Sequence, residues 1–314
     1  MPMNQADGAV LDVGTNSIKI LCASWEDKQL VPVYEDSIIT RLGEGLEYNQ
    51  YRLREGAMRR TIEGISELVK RSGKYYSGKI AAVGTSALRE AHNSEEFLQR
   101  VNQIAGIDIE IIPGEEEARF SYIAVRDSLN ILNADNLCVV DIGGGSTEII
   151  NGDNKRGNIK NRVSIPVGAV KLTDQFLRSD PATVQQITAA QGAVQTYLSS
   201  LSHPESDSIM VGVGGTVTNL ANLVLQRRTE KNSALHGLQI DIDELEREFT
   251  RLAVATVNEK RTFPGLDPER ADIILGGAVL LLQVMTAIGS EQLIVSTKGL
   301  RWGVFYDRYP CHIS

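Results

Sequence analysis

Two runs in this chain carry the residue types that could hold phosphate. One reads Ala9-Val10-Leu11-Asp12-Val13-Gly14-Thr15-Asn16-Ser17-Ile18-Lys19-Ile20. The other reads Cys138-Val139-Val140-Asp141-Ile142-Gly143-Gly144-Gly145-Ser146-Thr147-Glu148-Ile149. Each is a short apolar run, an Asp, a glycine turn with a hydroxyl residue, and a second apolar run. The pattern predicts a β-hairpin whose tight turn exposes backbone N–H groups. Phosphate oxygens can approach such a turn closely because glycine has no Cβ. The Asp at the strand end can hold a cation or orient a water. Two matching copies imply a duplicated domain, with phosphate held between the halves.

A third turn, Gly212-Val213-Gly214-Gly215-Thr216, follows the apolar run Ser208 to Val211. It precedes an apolar-periodic segment through Leu220 and Leu223. Strand, glycine turn and helix N-terminus together make an anion site from backbone N–H groups and the helix dipole. One such loop is most often plain turn chemistry. Three, two of them matching at Asp, Gly and Ser, point to phosphate.

These turns must be positioned by alternating strands and helices. In the first half the pattern predicts strands at 9–13, 17–24 and 29–39, a helix at 51–71 and a strand at 79–83. Apolar residues at Met58, Ile62, Ile65 and Leu68 give that helix its spacing. Asn93 with Glu96 three residues on reads as a capping box. A strand at 107–112 ends at Pro113-Gly114. A helix from Glu115 to Asn133 then has Ala118, Tyr122, Val125, Leu129 and Leu132 on one face. The second half restarts with a strand at 137–141. Helices follow at 169–178, 181–201, 216–226, 241–257 and 268–288, then a strand at 293–296 and a helix at 299–309. Strands feeding helices in this order imply mixed sheets covered by helices.

Composition bounds the class. The 314 residues are 42% hydrophobic and 23% charged, ordinary for a globular protein and long for one core. The net charge of −8 argues against general nucleic-acid binding but leaves a polyanionic substrate open, since a site is governed by local charge. Lys19, Arg89, Arg119, Lys171, Lys298 and Arg301 supply local positive charge beside the loops. Cys22, Cys138 and Cys311 form neither a disulfide framework nor a zinc motif, which favours a reducing cytoplasm. His92, His203, His236 and His312 show no ligand spacing. Met1 to Gly8 lacks the features of a signal peptide. The apolar run Ile273 to Ser290 reads as a helix buried between layers, not a membrane span.

With these residues assembled, the chain resembles the exopolyphosphatase/guanosine pentaphosphate phosphatase (Ppx/GppA) family, of the actin, sugar-kinase and chaperone-ATPase superfamily. The resemblance rests on the two hairpin motifs and on Gly84-Thr85-Ser86-Ala87-Leu88-Arg89-Glu90-Ala91. It extends through Gly114-Glu115-Glu116-Glu117-Ala118-Arg119, Pro166-Val167-Gly168-Ala169-Val170-Lys171-Leu172 and Gly214-Gly215-Thr216. Pro264-Gly265-Leu266 and Ser296-Thr297-Lys298-Gly299-Leu300-Arg301 complete it. It implies two duplicated actin-like (ribonuclease H-like) α/β domains with mixed sheets and an interdomain cleft. Domain I is expected over residues 1–124 plus the helix at 299–314, and domain II over 125–298, with a hinge near 115–133.

The function implied is release of terminal orthophosphate from polyphosphate, or conversion of guanosine pentaphosphate to tetraphosphate, assisted by Mg²⁺ or Mn²⁺. The family's catalytic Glu maps to Glu117, with Arg89 pointing at the cleft. Asp141 and Glu148, with Asp12, map to the metal. Thr15, Asn16, Ser17, Lys19, Gly143, Gly144, Gly145, Ser146, Gly214, Gly215, Thr216, Arg119 and Lys298 map to phosphate. Lys19 stands where many relatives have Arg, so the charge survives but bidentate contact does not. Trp302 stands where relatives often carry Glu. A cytoplasmic homodimer that touches neither nucleic acid nor membrane is the implied setting. The competing readings are a phosphotransferase of the same superfamily and a non-catalytic sensor of nucleotide or polyphosphate.

Overall fold

The computed structural model describes residues 5–129, 134–199, 208–226 and 235–311. Leu132, His203 and His312, and the predicted ends of the helices at 115–133 and 181–201, lie outside them.

The chain divides into two compact units. The first comprises Met1–Ala124 with Leu300–Ser314, and the second is Val125–Gly299. In the first, β1 (Gly8–Val13), β2 (Ser17–Glu26) and β3 (Gln29–Ile39) form an antiparallel meander. α1 (Glu55–Ser72) leads to β4 (Ala81–Gly84), which lies parallel to β1. α2 (Ser86–Glu90) and α3 (Ser94–Ala105) lead to β5 (Ile109–Ile111), parallel to β4. The sheet order is β3-β2-β1-β4-β5. α4 (Gly114–Ser128) then carries the chain into the second unit.

The second unit repeats the scheme. β6 (Asn136–Ile142), β7 (Thr147–Asp153) and β8 (Ile159–Ile165) form the meander. α5 (Ala169–Phe176) and α6 (Val184–Leu198) lead to β9 (Ile209–Val213), parallel to β6. α7 (Gly214–Leu225), β10 (Gln239–Asp241), α8 (Ile242–Val254), α9 (Val257–Lys260) and α10 (Ile274–Ile288) precede β11 (Gln292–Val295). β11 is parallel to β9, and the order is β10-β11-β9-β6-β7-β8. Without the β10 edge, strand order and direction match the first sheet. The duplication read from two short motifs is thus a duplication of topology. α11 (Leu300–Arg308) returns to the first unit.

Met58, Ile62, Ile65 and Leu68 are buried on α1, and Ala118, Tyr122 and Val125 on α4, as their spacing requires. α10 is apolar all round because most of it is buried in the second core, beside α5, α6, α7 and α8. Among the described residues no helix is long and apolar enough to cross a membrane.

Three readings need correction. The helix expected over 268–288 is two pieces, a 3-10 turn at Pro268–Arg270 and α10, which starts only after Ile273. Asn93 makes no capping hydrogen bond. Its buried amide instead accepts from the Leu53 N–H at 2.7 Å and donates to the Leu53 carbonyl at 3.1 Å. β8 was not expected, because one face is written in Lys160, Arg162 and Ser164 and its apolar half is sparse.

Candidate active site

The two glycine motifs fold into matching hairpin turns. Gly14 N–H donates to Ser17 C=O at 3.1 Å, and Gly143 N–H donates to Ser146 C=O at 3.0 Å. Each turn is thus closed by the same single backbone bond. Asn16 deepens the first turn: its Nδ2 is buried without an acceptor among the described residues. An unmet buried donor costs about 1–3 kcal/mol, which a phosphate oxygen or an ordered water would offset.

The ladders set which charge stands opposite each Asp. Asp12 pairs in register with Lys19, and Asp141 with Glu148. Directly opposed residues share a face, so the second hairpin sets two carboxylates side by side. Glu148 is fully buried, and Ser164 Oγ on β8 donates to its Oε1 at 2.8 Å. A Cβ at Gly214 would come 2.8 Å from Asp141 Oδ1, and one at Gly299 3.9 Å from Oδ2. Two opposed carboxylates disfavour each other unless a cation lies between them. Hard oxygens in this number suit Mg²⁺, which keeps several waters and shares substrate phosphates. Among the described residues no group of three or more His, Cys, Asp or Glu could hold a metal unaided. Asp12, facing an ammonium across its ladder, is better placed for a charge pair than for a metal set.

α5 buttresses the second turn. Ala169 N–H donates to Gly143 C=O, and Val170 and Lys171 N–H donate to Gly144 C=O, at 2.9, 2.9 and 3.2 Å. Gly168 lies flat against the turn: a Cβ there would overlap the Gly144 carbonyl and come 2.6 Å from the Gly145 nitrogen. Thr147 Oγ1 donates to Val167 C=O at 2.7 Å and closes the brace.

At the third turn α7 begins at Gly214, whose φ of +95° lies in the region glycine favours. A side chain that the motifs did not reveal sits here. The Arg270 guanidinium fills the place a Gly215 Cβ would take, with Cζ, Nη1 and Nη2 each 2.5 Å from it. Asn219 positions it by donating to Gly215 C=O at 2.9 Å and accepting from Asp267 N–H at 2.9 Å. Burial pushes the Arg270 guanidinium below its usual range, while Asp267, Asp272 and Glu269 push it back up. An arginine stays charged through such shifts. The sequence signal was Arg270 set among three acids just beyond Pro264-Gly265-Leu266.

In the first unit, α2 and the start of α4 meet beyond the ends of β4 and β5. Arg89 Nη1 donates to Glu117 Oε2 at 2.7 Å and to Ile112 C=O at 3.0 Å. Glu117 is only 8% exposed. Its N–H donates to Pro113 C=O, so the carboxylate rides on the first turn of a helix. A buried carboxylate held by a guanidinium is a placed acid–base group.

Arg119 is held by acids of its own unit. Its guanidinium donates to Glu116 at 2.9 Å and Asp307 at 3.0 Å and lies 4.4 Å from the Phe120 ring. It ties α4 to α11. Lys298 belongs to the turn after β11, where Ser296 Oγ donates to Lys298 C=O at 2.9 Å. The next residue, Thr297, donates its N–H to His236 Nδ1 at 3.3 Å, and His236 Nε2 lies 3.1 Å from Ser128 C=O. Burial, opposed by the Ser128 bond and reinforced by Lys298, lowers the His236 pKa.

The family model of the Ppx/GppA phosphatase family matches residues 21–312. The chain belongs to the Ppx/GppA phosphatase family. Among Ppx/GppA relatives it is 29% identical over 312 residues to Exopolyphosphatase 2 of Mycobacterium tuberculosis, covering 94% of this chain and 96% of that one. It is 30% identical over 302 residues to the guanosine-5'-triphosphate,3'-diphosphate pyrophosphatase of Vibrio vulnificus, covering 95% of this chain and 58% of that one. A longer relative, the bifunctional 3-dehydroquinate synthase/phosphatase of Fusobacterium nucleatum, is 30% identical; the chain spans 46% of its length. The crystal structure of the Aquifex aeolicus Ppx/GppA member superposes with a TM-score of 0.80 at 32% identity, covering 96% of each chain. The fold is therefore the family's, two mixed-sheet α/β units with flanking helices, and the chain is a phosphohydrolase by membership.

Proposed function

We propose that this phosphohydrolase releases terminal orthophosphate from inorganic polyphosphate, converts guanosine pentaphosphate to tetraphosphate, or does both. The observation that carries the reading is the Arg89–Glu117 pair, a buried carboxylate fixed at 2.7 Å. The names of the Mycobacterium and Vibrio relatives support these two substrates.

Glu117 orients a water and takes its proton as the water oxygen bonds to the terminal phosphorus. The bridging P–O bond breaks, and its electron pair leaves with the shortened chain. Phosphoryl transfer asks mainly for positioning and charge neutralisation. Each unit offers donors of its own: the Gly14–Ser17 turn in the first, and the Gly143–Ser146 and Gly214–Gly215 turns with the Arg270 charge in the second. Asp141 and Glu148 would hold Mg²⁺ or Mn²⁺, which when bound neutralises phosphate charge. The same reading takes the two units as domains I and II of a cytoplasmic homodimer.

Orthophosphate release from polyphosphate, guanosine pentaphosphate and ATP, measured side by side with and without Mg²⁺, tests the proposal. Metal-dependent release from either of the first two is the expected result. Phosphate appearing only on an added alcohol or acid acceptor would instead mark a phosphotransferase.

A further inference from the structure

We infer that the loop between β3 and α1 is a purine-stacking subsite, with Tyr51 and Tyr48 receiving the base of a nucleoside polyphosphate whose phosphates lie at the Gly14–Ser17 turn. The inference rests on the hydrolase reading above and adds to it the part of the substrate that is not phosphate.

The loop begins on the first phosphate turn. Thr40 and Arg41 N–H donate to Asn16 C=O at 3.0 and 2.9 Å, and Gly43 N–H donates to Thr15 C=O at 2.9 Å. It ends on the segment that follows Arg89. His92 N–H donates to Tyr51 C=O at 2.7 Å, and the buried Asn93 amide clamps both backbone groups of Leu53. Both ends are therefore tied to pieces of the candidate site within one unit.

Between those ties the backbone is strained. Arg41, Gln50 and Tyr51 have φ of 53°, 51° and 54°, in the left-handed region that favours glycine. Non-glycine residues there carry a steric penalty and persist where the surroundings fix them, a pattern common at ligand clamps. What the strain displays is aromatic surface. Tyr48 is 53% exposed and Tyr51 42% exposed. The exposed His92 ring lies 6.1 Å from Tyr51 at an interplanar angle of 46°. Tyr51 therefore keeps exposed aromatic surface beyond its contact with His92. Exposed Arg52 and Arg54 flank it with positive charge.

Tyrosine rings beside basic side chains are a general platform for nucleobases, and the stacking is tolerant of base identity. Polyphosphate has no group that would use them. The path from Thr15 C=O to Tyr51 N–H runs through the hydrogen bonds of Gly43, Leu46 and Tyr51. By ordinary residue spans and bond lengths it is about 16 Å at most, so the Tyr51 backbone stays close to the first phosphate turn.

Isothermal titration of the full chain with guanosine 5'-triphosphate 3'-diphosphate and with tripolyphosphate, under non-turnover conditions, tests this. The wild type should favour the nucleotide, and Tyr51→Ala should lower the affinity ratio about tenfold, with Tyr51→Phe keeping it. Tyr48→Ala should lower the ratio in the same direction, which keeps the test alive if Tyr51→Ala does not fold. A wild-type ratio near one, or a ratio unmoved in both alanine variants, overturns the subsite while leaving the hydrolase reading in place. Binding of neither probe by the wild type overturns both.

Discussion

Asp141 and Glu148 stand directly opposite one another across β6 and β7, whereas the matching positions of the first hairpin hold Asp12 and Lys19. The same ladder thus sets a carboxylate pair in one unit and a carboxylate beside an ammonium in the other. Under the proposed function it is the pair, not the hairpin as such, that would hold a divalent cation.

Asp141→Asn should therefore weaken Mn²⁺ affinity by about tenfold or more, since metal-site substitutions typically cost 10–100-fold. Asp12→Asn should leave that affinity much closer to wild type. Electron paramagnetic resonance titration of Mn²⁺ reads both directly. Equal losses in the two variants would refute the assignment of the pair.

Glu117→Gln should lower turnover by about 10²-fold with substrate affinity largely kept. The half-buried Arg89 would lose its counter-ion but keep the Ile112 carbonyl, so the fold should survive. Single-turnover phosphate release beside a binding isotherm separates the two effects. Turnover near wild type would remove Glu117 from the chemistry.

Arg270→Ala should raise KM for a phosphate substrate roughly tenfold or more, by the ~1.5–3 kcal/mol of a charge-assisted hydrogen bond. Arg270→Lys should recover only part of it, because an ammonium cannot present the planar fork that lies on Gly215. Steady-state kinetics on all three forms decides. An unchanged KM in the alanine variant would make Arg270 a packing residue.

His236 gives a pH dependence with a definite sign. Its pKa is lowered in the fold, chiefly by burial, so the unfolded chain binds the proton more readily. Stability is present above the unfolded value of about 6.5 and falls as pH drops below it, with a slope of at most ~1.4 kcal/mol per pH unit. His236→Gln should flatten that part of the profile in urea titrations at pH 7.5 and 5.5. An identical pH slope in the variant would assign the loss to other groups.

The parts of the site legible in the sequence are those written locally. Asp, glycine and a hydroxyl within six residues define a hairpin turn wherever the chain places it, so Gly14 and Gly143 were both readable. Glu117 was singled out only through the family resemblance that the Glu-Glu-Ala-Arg run carries, since three acids in a row at a helix start otherwise read as first-turn residues. What escaped depends on partners distant in sequence. Arg119 looked like a phosphate ligand because its counter-charge, Asp307, lies at the other end of the chain. Arg270 looked ordinary because Gly215 and Asn219 come from another helix. Asn93 carried the pattern of a helix cap, but the Leu53 backbone offered its amide both a donor and an acceptor, against one acceptor role at a cap.

The interleaving of the two units constrains how the protein is made. Trp302, Val304 and Phe305 on α11 pack with Val10, Leu21, Val83 and Phe120, and Gly303 lies against the Phe120 backbone. The ribosome delivers residues 1–124 first, yet their sheet has one flank uncovered until residue 305 has left the exit tunnel. The second unit is a continuous stretch and can close earlier. The half that is translated first is thus the half that matures last. During that interval its unshielded apolar flank is the surface most prone to aggregation.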